Sequence, residues 1–336
     1  MSVRDGERYL AAAIDSVLAQ TFMNLELIVI DDGSTDSSPE ILAGYASVDQ
    51  RVLVHRQQNA GLAVSLNRAV SHARSPLIAR LDADDIARPR RLELQLAYLA
   101  QNPAMGVVGG AVAFIDEDGR QFAETQYPTT DAEIRQAFPV TTPFVHSAVT
   151  MRRELFDAVG GYRAAFPHAE DLDLWLRVSA LAQLANLSET VVLYRIHPQQ
   201  STVTELERQS MSVLGAKVAW RARGAGSPDP FADTTLVDQA ALQAAGASTD
   251  DLTTEFVRLA VWLAKTLSRS GREQAATALF AVADARARSE SGSAALVSLV
   301  RRERSKRLRA QGRRIAAAMA ALSTAFEAAR ERVGRG

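Results

Sequence analysis

The 336 residues carry 38 Lys and Arg against 39 Asp and Glu, a formal charge of −1, and 47% of them are hydrophobic. That balance excludes a global electrostatic pull toward nucleic acid or a membrane surface, and the apolar share is ample for a packed core. The absence of cysteine removes disulfides and thiolate metal sites, and neither an 18-residue apolar window nor an N-terminal apolar signal core is found. A soluble cytoplasmic protein of one large domain or two smaller ones is expected.

Tyr9, Leu10, Ile14, Val17 and Leu18 recur at helical spacing and predict a helix over 7–20. Leu25-Glu-Leu-Ile-Val-Ile30 is a short apolar run closed by the polar turn Asp31-Asp-Gly-Ser-Thr-Asp36, the pattern of a strand. Ser38, Pro39 and Glu40 predict the N-cap, first position and acidic first turn of the next helix. A strand over 51–55, a helix over 62–73 and a strand over 77–81 follow, and Ile86-Ala-Arg-Pro89 reads as the start of another helix. Strand–helix alternation with short connections predicts an α/β fold with a doubly wound, mostly parallel sheet. No strand signal precedes the first helix. Either that strand lies upstream of the sequence or the sheet is one strand short; the former is preferred, because the helix needs a strand to cross from.

In such sheets ligands bind beyond the C-terminal strand ends, and both Asp31-Asp32 and Asp82-Asp84 fall there. On extended backbone, carboxylates two residues apart project to one face. Two hard oxygen ligands suit Mg²⁺ or Mn²⁺ and leave sites for water and a substrate phosphate. The plain alternatives are an acidic turn that complements a helix dipole and, for Asp31-Asp-Gly-Ser, an ordinary Asp/Gly turn. Glu170-Asp171 stands at the N-terminal edge of a helix predicted to be buried through Leu172, Leu174, Trp175, Leu176 and Val178. Its alternative is an acid pair that only favours the helix start.

The ordered set is more specific than any member of it. It comprises Asp5-Gly-Glu-Arg-Tyr-Leu10, Ser16-Val-Leu-Ala-Gln-Thr-Phe22, Glu26 to Asp36, Asn59-Ala-Gly-Leu62, Asn67, Ala79 to Asp85, and Pro89. Gly160-Gly-Tyr162, Glu170 to Arg177 and Tyr194-Arg-Ile-His197 complete it. From Met1 to about Thr202 the chain resembles the inverting family-2 glycosyltransferases with the glycosyltransferase-A fold. The resemblance implies a nucleoside diphosphate sugar donor, with Asp31 or Asp32 accepting hydrogen bonds from base or ribose. Asn59, Gly61 and Arg80 would line the donor site. Asp82 would face ribose or metal, and Asp84 would be the principal ligand of Mg²⁺ or Mn²⁺, with His197 beside it. Asp85 would be a helix-start residue. Asp171 would be the general base toward a glycan or lipid-linked acceptor, with Glu170 as its neighbour, as in assembly of bacterial surface polysaccharide. His146 would lie on the acceptor side, its alternative being a core or turn histidine. Arg195 would face the diphosphate or else pair with a surface acid. Where the family has Pro or Thr, an aromatic and Asn in the first loop, this chain has Ser2-Val3-Arg4-Asp5, so Ser2 and Arg4 form the donor edge. The rivals are a catalytically impaired, scaffold-like relative and a nucleotidyltransferase, which would want a Gly-rich phosphate loop near the N-terminus.

From about Glu205 strand signals vanish and helical periodicity takes over, which divides the chain into a catalytic region 1–203 and a helical region 204–336. Gly224-Ala-Gly-Ser-Pro-Asp-Pro230 reads as a loop or linker. Phe256, Leu259, Val261, Trp262, Leu263 and Leu267 form an apolar face. Between Arg301 and Gly336 there are 11 Lys/Arg and 3 Asp/Glu, a balance of +8. Three expectations attach to this tail: a peripheral contact with anionic lipid at the inner face of the cell membrane, a homo-oligomer contact, or a plain solvated helix. No nucleic-acid partner is expected.

Overall fold

The computed structural model describes residues 1–289 and 293–312, which fall into two compact units divided after Ser248. In the first, β1 (Ser2–Val3), α1 (Leu10–Leu18), β2 (Leu27–Asp31), α2 (Ser38–Val48), β3 (Val52–Arg56) and α3 (Leu62–His72) alternate. The strands pair in parallel in the order β1-β2-β3. Every residue of β2 is buried, as a continuous apolar strand covered on both faces requires.

The first strand is present. Ser2 and Val3 pair with Ile30 and Asp31, and the Met1 nitrogen donates to the Ile28 carbonyl at 2.8 Å. Two residues are too few to produce an apolar-run signal, which is why periodicity overlooked them. The loop that follows is tied to the loop after β2. Asp5, at φ 51°, accepts the Thr35 N–H at 2.7 Å, and the Gly6 and Glu7 amides donate to Ser38 Oγ and Asp36 Oδ2 at 2.9 and 2.8 Å. Ser38 is therefore not the cap of α2. Ser37 holds that position, Pro39 lies in the first turn, and the Ser38 hydroxyl bridges the loops.

The chain continues through β4 (Leu77–Ala79), β5 (Ile86–Ala87), α4 (Arg91–Gln101), β6 (Met105–Ile115), β7 (Gln121–Thr125) and α5 (Asp131–Ala137). A 3₁₀ turn (His146–Ala148), β8 (Thr150–Arg152), α6 (Arg153–Ala158), α7 (Glu170–Val178) and β9 (Gln183–Arg195) complete the α/β part. These strands form a second sheet, β4-β8-β6-β9-β5, with β7 on β6. The sheet is parallel through β6 and β9 and otherwise antiparallel, so the fold is α/β with a mixed second half. Gly109 lets β9 come close to β6: a Cβ there would stand 2.1 Å from Asn186 Oδ1. The expected helix start at 86–89 opens on a two-residue strand, Ile86–Ala87, and a turn instead. Ile86 and Ala87 pair with Leu193 and Val192, and α4 waits until Arg91 because Arg88 precedes a proline.

After α8 (Ser201–Thr204), α9 (Leu206–Gly224) packs on α7, and α10 (Gln239–Ala244) packs on α9. The compact unit thus runs on to Ser248, past the compositional change near 203. In the second unit α11 (Thr249–Arg269) packs on α12 (Glu273–Ser289), burying Phe256, Val257, Val261, Leu263 and Leu267. Trp262 leaves the predicted apolar face and is 40% exposed. Among the described residues no helix is long and apolar enough to cross a membrane. Of the basic tail, 313–336 lie outside the described residues.

Gly160 and Gly161 sit at φ 76° and 71°, in the turn that ends α6. A Cβ on Gly161 would lie 2.6 Å from Asn67 Oδ1 and 3.0 Å from the Phe156 ring, whereas Gly160 faces open space. Gly160→Ala should cost about 1–2 kcal/mol from backbone strain alone. Gly161→Ala should cost about 2–4 kcal/mol because crowding is added, a difference that urea unfolding of both variants measures.

Candidate active site

The turn between β4 and β5 brings three acids together. One carboxylate oxygen from each of Asp82, Asp84 and Asp85 lies within 4.8 Å of the others. Asp82 is bound by the buried Arg80 guanidinium, and Ser147 locks the pair: its hydroxyl accepts from Arg80 Nη1 at 2.9 Å and donates to Asp82 Oδ2 at 2.9 Å. Burial works against ionisation of Asp82, but the Arg80 charge and hydrogen bonds outweigh it and hold the carboxyl below its usual range. Asp84 is one-third exposed, and its Oδ2 lies 3.0 Å from His197 Nε2.

Asp85 does not start a helix. It is buried, its Oδ1 accepts the Arg195 N–H at 2.7 Å, and its Oδ2 has no hydrogen-bond partner. Burial, then the charges of Asp84 and Asp82, raise its proton affinity well above normal. An orphaned buried carboxylate oxygen beside two further carboxylates and an imidazole is a donor set that Mg²⁺ or Mn²⁺ fits. Sequence reading left Asp85 out of the site; its adjacency to the Asp82–Asp84 pair was the available signal. Arg195 serves this turn from behind. Its side chain donates to the carbonyls of Asp84, Asp116 and Glu117 at 2.8, 3.1 and 3.3 Å, and its charge lies over the Tyr9 ring at 4.4 Å. It thus pairs with backbone, not with a surface acid.

Glu170 and Asp171 occupy the first turn of α7, as expected from the apolar pattern behind them. Burial pushes Glu170 up to about 8, with Asp171's charge adding to it, and burial pushes Asp171 up to about 6. Asp171 is half-buried, and its Oδ1 accepts the Leu172 N–H at 2.7 Å. His146 Nδ1 lies 3.9 Å from Glu170 Oε1, and its Nε2 lies 2.7 Å from the Tyr162 hydroxyl. Burial and the nearby Arg80 charge keep His146 neutral. Arg80 is also felt at Glu170, Asp171 and Tyr162, so the triplet and the α7 acids share one buried cation. Asn67 links α3 to this group by exchanging hydrogen bonds of 2.8 and 2.9 Å with the Tyr162 backbone.

At the edge where a donor is expected the two aspartates differ. Asp32 accepts from Gln57 Nε2, Ala60 N–H and Gly61 N–H at 2.7, 2.8 and 3.0 Å, so both oxygens organise the turn into α3. Asp31 accepts the Ser34 N–H at 2.9 Å, and its Oδ2 lies 3.3 Å from Arg56 Nε. Gly61 is at φ 87°, and Asn59 is exposed. Ser2 lies in β1, whereas the Arg4 side chain, after it, is 55% exposed with only Asp5 near, at 3.8 Å.

An α/β fold that gathers an acid triplet and a second, buried acid pair with raised proton affinity has the features of an enzyme site. A profile described as "Glycosyl transferase family 2" matches residues 1–160. EpsE of Bacillus subtilis is 39% identical over 181 residues, 53% of this chain and 64% of EpsE, so the chain spans just under two thirds of that relative. The O-antigen biosynthesis glycosyltransferase WbnJ of Escherichia coli is 33% identical over 220 residues, 63% of this chain and 85% of WbnJ. The chain belongs to glycosyltransferase family 2. Among solved structures, S. aureus TarS 1-349 in complex with UDP-GlcNAc superposes with a TM-score of 0.52 at 15% identity, covering 83% of this chain and 88% of that one. The mannosyltransferase PcManGT from Pyrobaculum calidifontis, in complex with GDP-Man and Mn²⁺, gives 0.50 at 18% identity, covering 91% and 79%. At such identities these two establish the shared glycosyltransferase-A fold.

The raised Glu170 carboxyl has a stability consequence with a fixed sign. The folded state holds its proton more tightly than the unfolded chain, whose value is near 4.5, so stability is greatest below that pH and falls as pH rises through about 8. Glu170→Gln removes this penalty. Its melting temperature should exceed that of the parent at pH 8.5 and match it at pH 4, a comparison that scanning calorimetry makes directly.

Proposed function

We propose that this chain is a divalent-cation-dependent inverting glycosyltransferase that moves a sugar from a nucleoside diphosphate sugar to a hydroxyl of a glycan or lipid-linked acceptor. The observation that carries this reading is that one 3₁₀ turn joins the Asp82–Asp85 turn to the acids of α7: Ser147 holds Arg80 and Asp82, and His146 Nδ1 lies 3.9 Å from Glu170 Oε1. Asp84 and Asp85, with His197 and the outer side of Asp82, are the residues that would hold Mg²⁺ or Mn²⁺. When bound, the cation supplies neutralising charge for the diphosphate. Asp171 takes the proton of the acceptor hydroxyl as its oxygen attacks from the face opposite the diphosphate. A value near 6 leaves Asp171 ionised at neutral pH yet basic enough for the task. Glu170 keeps its proton at pH 7 and offers a hydrogen-bond donor beside it. Neutral His146 and Tyr162 wall the acceptor side.

Names of relatives support the setting: WbnJ is an O-antigen enzyme, and AmsE of Erwinia amylovora, 30% identical over 188 residues, is an amylovoran enzyme. Surface polysaccharide assembly is the process we assign. The two solved structures, carrying UDP-GlcNAc and GDP-Man with Mn²⁺, name the first donors and cation to try. The impaired-scaffold reading rested on a missing first strand, and β1 removes that premise.

A panel of nucleotide sugars with Mn²⁺, Mg²⁺ or EDTA should give nucleoside diphosphate release with one donor class, abolished by EDTA. Asp171→Asn should lower kcat about 10²–10⁴-fold with donor binding kept, and turnover retained in that variant would reject Asp171 as the base. A scaffold protein would show no cation-dependent donor binding by calorimetry.

The site of action we assign is the inner face of the membrane. Arg301, Arg302, Arg304, Lys306 and Arg309 are exposed on the helix over 294–312, with Leu308 exposed among them. Glu303, which pairs with Lys265 and Lys306, offsets part of that charge. Co-sedimentation with phosphatidylserine vesicles should exceed that with phosphatidylcholine vesicles and disappear at about 0.5 M salt, where screening is nearly complete over a few ångströms. Equal recovery with both lipids would exclude the contact.

A further inference from the structure

Asp173 lies two residues beyond Asp171, about 200° around α7, so it faces away from the pocket. It is fully buried. Its carboxylate holds Arg163 bidentately and accepts Arg177 Nε and Nη2 at 2.9 and 2.7 Å. Arg177 also donates to the carbonyls of Val159 and Gly161 at 2.6 and 2.7 Å, which ties the glycine turn to the same anchor. Two guanidinium groups on one buried carboxylate leave an excess positive charge, and a buried excess charge must find a partner.

The partner comes from far along the chain. Asp229, in the loop between α9 and α10, accepts Arg163 Nη1 at 3.0 Å and is paired also with Arg223 of α9. Its other oxygen accepts the Phe231 N–H at 2.9 Å, and Phe231 meets Phe166 edge-on at 5.9 Å. Arg163 lies over that same Phe166 ring at 4.4 Å, and the Val237 N–H donates to the Ala165 carbonyl at 2.8 Å. All of these residues beyond 160 lie outside the stretch that the family profile matches.

We propose that Asp229 is a positioning residue for Asp171: the loop over 224–231 is a latch that fixes the back of α7 and thereby aims its first turn. The proposal rests on the reading of Asp171 as the general base. With Asp229 neutralised, Arg163 loses its tie to the loop and the unscreened Arg223 charge pushes against it, so the Arg163 half of α7's anchor loosens and the base loses its fixed approach to the acceptor hydroxyl. Donor binding, which uses the β4–β5 turn, is not involved.

Asp229→Asn preserves shape and removes charge. With the donor that turns over in the panel above, kcat should fall at least tenfold while donor KM, and nucleoside diphosphate affinity by calorimetry, stay within twofold. Asp229→Glu should recover most of the rate. In an Asp171→Asn background the same change should lower the residual rate less than twofold, because the two act through one group. Hydrogen exchange, which needs no turnover, should quicken at least tenfold over 159–178 and stay unchanged over 80–87. Unaltered kcat with unaltered exchange over α7, or a loss confined to KM, would overturn the latch. Full turnover of Asp171→Asn alone would instead remove the base assignment and leave the exchange result standing. Should Asp229→Asn be recovered unfolded, Phe231→Leu loosens the same loop through its ring contact and must show the same split between kcat and KM.

Discussion

Everything at this site is arranged around one buried guanidinium. Arg80 is 6% exposed, and a charge so placed persists only if it is matched, which Asp82 and Ser147 accomplish from the turn and the 3₁₀ segment. The match fixes the first acid of the triplet relative to the backbone of a distant strand. Burial dominates the protons of Glu170, Asp171 and His146, and the Arg80 charge acts on all three, against the upward shift of the two acids and with the downward shift of the imidazole. Beneath Arg80, Arg91 donates to the Arg80 and Val149 carbonyls, so a second buried cation braces the strand end that presents the first. Burial together with Arg80's charge drives Arg91 down to about 9, a measure of how dry this floor is.

Much of this was legible in the residues. Polar turns after apolar runs marked the strand ends, and the acids of β2 and β4 fell there because an α/β sheet exposes those ends to ligand. The α7 acids were legible for a different reason, since a helix with an apolar body announces its own first turn. What escaped shares one cause: the pairing partner is distant in sequence. Ile86 and Ala87 are strand only because Leu193 and Val192 lie beside them, and two-residue β1 is strand only because of Ile30 and Asp31. Asp85 likewise seemed a helix-start residue until Arg195, 110 positions away, claimed one of its oxygens and left the other alone. The division of labour between Asp31 and Asp32 was equally hidden, for the amides that occupy Asp32 belong to a turn whose direction only the folded chain sets.

Composition also placed a boundary where the chemistry does not divide. Strand signals end near 203, yet α9 packs on the helix that carries the proposed base, and Asp229 neutralises an arginine on the α/β side of that boundary. A change in the kind of secondary structure is a statement about local sequence, whereas a compact unit is a statement about which charges and apolar faces need one another. The fragment 1–203 would therefore expose the α9-facing side of α7 and leave Arg163 without its second carboxylate.

The cross-tied loops after β1 and β2 carry a consequence for any ligand held at this edge. A two-residue ladder holds its following loop weakly, so the grip comes from Asp5, Gly6 and Glu7 on Thr35, Ser38 and Asp36. Neither loop can open without breaking bonds that also close the other, so opening one costs the hydrogen bonds of both. A ligand that touches Arg4 on one loop is in effect touching Ser34 on the other, and selectivity at this edge becomes a property of the pair. A change of ligand preference at this edge would then call for concerted replacement in both loops, with single replacements penalised by the mismatch they leave across the seam.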